Sequence, residues 1–159
     1  MREIRTAIDI DATPERVWEV LTDFEDYGAW NPFARITGQP NVGARPHVRL
    51  TPPNGRGMSF RPRVTAADPN REFRWRGHLF VPGLFDGDHR FELEPLDGGA
   101  GTHFVHSEAF TGVLAGLLFR FVGDDTEAGF VAMNEALKRR AEEASAETGA
   151  DPAPNLSAE

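Results

Sequence analysis

The chain contains no cysteine, so it has neither disulfides nor a thiolate metal site, and its redox compartment stays open. No apolar run approaches the ~20 residues a membrane-spanning helix needs. The opening Met1-Arg2-Glu3-Ile4-Arg5 leads into no apolar signal stretch. A soluble cytoplasmic protein without stable membrane insertion is the expectation. Lysine is nearly missing, one residue against sixteen arginines, and that bias is silent about substrate. At 159 residues the chain fits one domain.

The net charge of −8 is unevenly spread. Five acids and no base lie between Glu142 and Glu159, which leaves only −3 for the rest. Residues 145–159 are small, polar and proline-broken and are expected to be a disordered acidic tail, with the folded domain over 1–144. Nine arginines between Arg35 and Arg76 raise the question of a nucleic-acid surface. Arg61, Arg63, Arg74 and Arg76, however, alternate with Phe60, Val64, Phe73 and Trp75. That spacing puts them on the outer face of half-buried strands; Arg90, Glu92 and Glu94 share that parity on the next strand, so opposite charges can pair across the sheet. No nucleic-acid partner is expected.

Ile4, Thr6, Ile8 and Ile10 set a period of two, a first strand. Thr13-Pro14 then starts a helix, with Thr13 as cap and Pro14 at its first position. Tyr27-Gly28 and Asn31-Pro32 confine the next segment to a second short helical turn. Strands are expected over 34–38, 44–51, 59–68, 71–81, 87–96 and 102–111, joined by short turns and so antiparallel. From Val113 the pattern is helical. Leu114, Leu117, Leu118 and Phe121 form one stripe, and Phe130, Met133, Asn134 and Leu137 another, about 160° out of phase on a straight helix. A break at Gly123, with Asp124 and Glu127 spaced as a capping box, would reconcile them. The alternative is one helix, apolar on both sides over its first turns. A lone helix cannot fill the hollow of a six- or seven-stranded curved sheet, so a cavity is expected between them.

Several short runs carry a family resemblance: Ala12-Thr13-Pro14-Glu15-Arg16-Val17-Trp18, Leu21-Thr22-Asp23-Phe24, Tyr27, Trp30-Asn31-Pro32-Phe33, Gly83-Leu84-Phe85 before His89-Arg90-Phe91, and Gly129 to Lys138. With them the chain resembles the START/Bet v 1 superfamily, within it the bacterial polyketide cyclase/dehydrase (SRPBCC) group. The resemblance spans Ile4 to Glu143. It implies an α+β helix-grip fold, with an antiparallel sheet wrapped around a long C-terminal helix and two short helices after the first strand. The group contains binders, carriers and some cyclases, so it speaks to fold more than to reaction.

Strand parity turns His89 inward with Phe91, and His106 and Glu108 inward with Phe104 and Phe110. Asn134 reaches them from the helix. Tyr27, Trp30, Phe33, Phe60, Trp75, Leu79, Phe85, Phe91, Phe104, Phe110, Leu117, Phe121 and Phe130 are the expected apolar lining, with His89, His106, Glu108 and Asn134 as its polar groups. Buried groups of that kind need partners. They can simply satisfy one another, hold the polar end of a small hydrophobic ligand, or act as acid and base on an enolisable carbonyl, Glu108 with His106 or His89. The expected role is binding a small hydrophobic molecule, with cyclisation or dehydration as the alternative and a protein-docking role as a third. No cofactor and no metal is expected, since His103 and His106 point to opposite faces of a strand. Gly98-Gly99-Ala100-Gly101 is a hairpin turn without the strand-to-helix setting of a phosphate loop. Aromatic residues at 27–33 and in the loop 81–87 can cover or gate the cavity mouth. Oligomeric state is open, a homodimer included.

Overall fold

The computed structural model describes residues 1–149, with side chains described as far as Glu143. Eight strands and two principal helices follow the expected order. β1 (Arg2–Ile10) leads into α1 (Pro14–Thr22), a 3-10 turn (Phe24–Asp26) and the single-turn α2 (Tyr27–Trp30). β2 (Ala34–Thr37), β3 (His47–Leu50), β4 (Met58–Phe60), β5 (Arg63–Asp68), β6 (Glu72–Leu79), β7 (Phe85–Leu96) and β8 (Gly101–Thr111) come next, and α3 (Ala115–Gly149) closes the chain. One antiparallel sheet has the order β1-β8-β7-β6-β5, and a smaller one β2-β3-β4.

The strand expected over 59–68 is in fact two. Pro62 has no N–H for a ladder, and the chain changes sheets there: β4 pairs with β3, while β5 pairs with β6. This raises the strand count to eight. The loop before β3 joins the sheets, because Gly43 N–H donates to Val64 O and Val64 N–H to Ala44 O, each at 2.9 Å.

Local caps behave as the sequence dictates. Thr13 Oγ1 accepts from Arg16 N–H at 3.2 Å, and Pro14 opens α1. Asn31 Oδ1 accepts from the N–H of both Phe33 and Ala34 at 2.9 Å, which turns the chain from α2 into β2. The outward arginines find carboxylates across the sheet. Arg74 takes Asp88 in a fork of 2.6 and 2.5 Å, and Arg90 meets Glu72 at 2.9 Å and Glu92 at 3.2 Å. Such half-exposed pairs contribute little each, about 0–1 kcal/mol.

The expected break at Gly123 is absent: α3 runs unbroken through it and on to Gly149. The tail expected from residue 145 falls outside the described residues from position 150 onward. Continuity follows because the second stripe, Phe130, Met133, Asn134 and Leu137, is buried as expected, and the face that continues it toward the start of the helix is only partly the first stripe. Ala115, Leu118, Val122, Thr126, Gly129, Met133 and Leu137 recur every three or four residues and stay in phase along the whole helix. Leu117 and Phe121, expected inside, are on the outer face instead, 57% and 75% exposed. At Gly129 the helix comes so close to Phe33 that any side chain there would strike its ring.

Candidate functional site

Register determines which side chains stand shoulder to shoulder on the inner face of the large sheet. One row runs Thr6, His106, Phe91, Phe73. The next runs Ile4, Glu108, His89, Trp75, Val64. A third sets Phe110 beside Gly87 and Gly87 beside Gly77. The pleat thus brings Glu108 next to His89, and His106 one row below.

α3 lays Phe130 and Asn134 on these rows. The Phe130 ring stacks on His106 with centroids 3.8 Å apart and planes at 12°. Asn134 Oδ1 lies 2.9 Å from His106 Nδ1, and Asn134 Nδ2 donates to Thr6 Oγ1 at 2.9 Å. His106 Nε2 is 2.7 Å from His89 Nε2, and His89 Nδ1 is 3.4 Å from Glu108 Oε2. His106 is fully buried, His89 and Asn134 nearly so. Burial, and then the neighbouring His89, holds the His106 imidazole well below its ordinary pKa, only partly opposed by the Asn134 hydrogen bond. His106 is therefore neutral. The Asn134→Ala variant, which strands both Thr6 and His106 Nδ1, is expected to lose about 1–3 kcal/mol in urea unfolding.

Beside this filled region the structure leaves a pocket. It is a cavity of about 50 Å³ that opens to solvent. Of the residues expected to line a cavity, Phe33, Phe60, Trp75, Leu79, Phe85, Glu108 and Phe110 stand around it. Phe91, Phe104, Phe130, His106, His89 and Asn134 do not. They pack against one another behind its wall, where edge-to-face and stacked rings fill the hollow. Tyr27 is buried with its hydroxyl donating to Leu21 O, and Trp30 packs on Tyr27. Leu117 and Phe121 face away. The space thus lies toward the β6–β7 end and is narrower than the width of the sheet alone implies.

The sequence reading missed Leu50, Pro52, Met58, His78, Gly77, Gly87, Val122 and Thr126, which complete the lining. Parity with Trp75 and His89 was the available signal for the two glycines, and a helical step back from Phe130 for Thr126 and Val122. Gly87 has a specific task. A Cβ there would come within 2.5 Å of Glu108 Oε1, so the missing side chain is what lets the carboxylate sit over the strand at the pocket wall. Among the described residues no three histidines or carboxylates are arranged to hold a metal ion, and no helix is long and apolar enough to cross a membrane.

The family described as polyketide cyclase / dehydrase and lipid transport matches residues 1–143. The chain belongs to that family. No curated protein matches the sequence. Among solved structures, this polyketide cyclase/dehydrase family member is similar to the Zhui aromatase/cyclase of Streptomyces sp. R1128. The two share 21% identity over 93% of this chain and 98% of that one, with a TM-score of 0.73. A protein of Thermus thermophilus gives 20% identity over 91% and 99%, TM-score 0.69. The di-domain aromatase/cyclase BexL from the BE-7585A biosynthetic pathway gives 17% over 86% of this chain and 46% of its own, TM-score 0.66. These likenesses establish the curved antiparallel sheet and long terminal helix as the family's Bet v 1-like fold.

Proposed function

We propose that this protein binds a small, mostly apolar molecule in the pocket between β6–β8 and α3, with Glu108 taking its polar end. One observation carries the reading: an apolar wall of Phe33, Phe60, Trp75, Phe85 and Phe110 is interrupted by one carboxylate, which a glycine makes room for. Sites for apolar ligands are commonly built this way, with few polar groups to fix orientation. The small volume implies a ligand that places only part of itself inside and extends the rest through the mouth. Native mass spectrometry of gently purified protein is expected to retain a small co-purifying mass, displaced by an apolar fluorophore that gains emission on binding. No retained mass and no fluorophore binding would overturn the reading.

A second reading rests on the 3.4 Å approach of His89 Nδ1 to Glu108 Oε2 at that wall. A carboxyl and an imidazole side by side at an apolar pocket can act as acid and base on an enolisable carbonyl, as cyclisation or dehydration requires. The neighbours titled aromatase/cyclase are in keeping with it. Glu108→Gln keeps the shape and the hydrogen bonds but cannot transfer a proton. Turnover of a bound carbonyl compound is expected to fall about 100-fold or more with affinity retained. Unchanged turnover would remove the enzyme reading and leave binding standing.

A further inference from the structure

We infer that the polar end of the ligand is a hydrogen-bond donor, a phenolic, enolic or alcoholic hydroxyl, because a one-directional hydrogen-bond chain leaves Glu108 able only to accept toward the pocket. The inference deepens the proposed binding role and rests on it. Direction follows from the partners, link by link.

Thr6 Oγ1 lies 3.2 Å from the backbone oxygen of His106, and a carbonyl can only accept, so the threonine hydrogen is committed there. The threonine oxygen must then accept from Asn134 at 2.9 Å, which orients the amide with its nitrogen toward Thr6 and its oxygen toward His106. An amide oxygen only accepts, so His106 Nδ1 carries a hydrogen. The imidazole is wholly buried under Phe130 and neutral, so its Nε2 is bare. Two bare nitrogens could not sit 2.7 Å apart, and His89 Nε2 therefore carries the hydrogen between them.

That leaves His89 Nδ1 bare, buried without a hydrogen-bond partner and 3.4 Å from Glu108 Oε2. A carboxylate has only lone pairs, and a carboxyl hydrogen would sit on Oε2, the oxygen that faces the bare nitrogen. In both cases Oε1 keeps only lone pairs. Oε1 is the atom over Gly87, which lines the pocket. Thr6, Asn134 and His106 touch no ligand. They are positioning residues that set the polarity of the site from behind its wall.

The probes for the test are 2-naphthol, 2-methoxynaphthalene and naphthalene, titrated calorimetrically into the whole protein. The wild type is expected to bind 2-naphthol about tenfold or more tightly than 2-methoxynaphthalene, with naphthalene no better than the ether. Glu108→Gln is expected to keep the preference, since its amide nitrogen can donate to His89 while its oxygen accepts. Glu108→Leu is expected to lose it. Nitrogen chemical shifts of the free wild type should show hydrogen on His106 Nδ1 and not on its Nε2, and hydrogen on His89 Nε2. Equal binding of the alcohol and the ether overturns the donor requirement and spares the pocket. Binding of none of the three overturns the pocket assignment and this inference together. A bare His106 Nδ1 overturns the chain whatever binds.

Discussion

Truncating Phe130 to alanine is expected to remove about 3–5 kcal/mol of folding free energy, read from urea unfolding. The ring is fully buried where α3 meets the sheet. It stacks on His106 and stands edge-on to His89 and Phe33, with centroids 5.1 and 5.9 Å away. Removing it deletes the apolar contact and opens a void beside both imidazoles. Against a typical total of about 5–15 kcal/mol, such a loss is about a fifth or more of the stability. A loss below about 1 kcal/mol would mean that the helix can settle onto the sheet without this ring.

Acid is expected to destabilise the fold through His106. In the unfolded chain its imidazole takes up a proton near pH 6.5, whereas in the folded chain burial holds it neutral well below that pH. The unfolded state therefore binds more protons as pH falls. Stability from this group is fully present above 6.5 and is lost below it, by up to about 1.4 kcal/mol per pH unit. Between pH 7 and 5 the wild type should lose about 2 kcal/mol more than His106→Gln, which has no imidazole to protonate there. Comparing the two pH profiles isolates this residue from other groups that titrate in the window. Parallel profiles would mean that the native state accepts the proton after all.

Much of the sheet was legible because a strand has a rigid period of two. Once Phe91 and Phe104 are inside, His89, His106 and Glu108 have nowhere else to point. The turn at 97–101 then fixes His89 opposite Glu108. The helix was harder to read. Leu117 and Phe121 are larger than Thr126 and Gly129, yet they face outward while the smaller pair faces in, because the Phe33 ring needs the space at Gly129. Residue size misleads where a neighbouring ring supplies the bulk. The pocket is narrower than expected for a related reason. How far Phe91, Phe104 and Phe130 fill the hollow depends on their tilts and rotamers, which no spacing encodes. Missing side chains at two positions decide where room remains.

Those two positions, Gly77 and Gly87, are partners across β6 and β7. Part of the chamber is therefore walled by bare peptide planes, which cannot rearrange by swinging a side group. Its calibre there is set by the main chain, and enlarging it requires two paired strands to part. A single added methyl at either place would narrow it, pressing on Phe60 from Gly77 or dislodging the carboxylate from Gly87. The room at this end of the pocket is thus governed by the least adjustable component of the architecture.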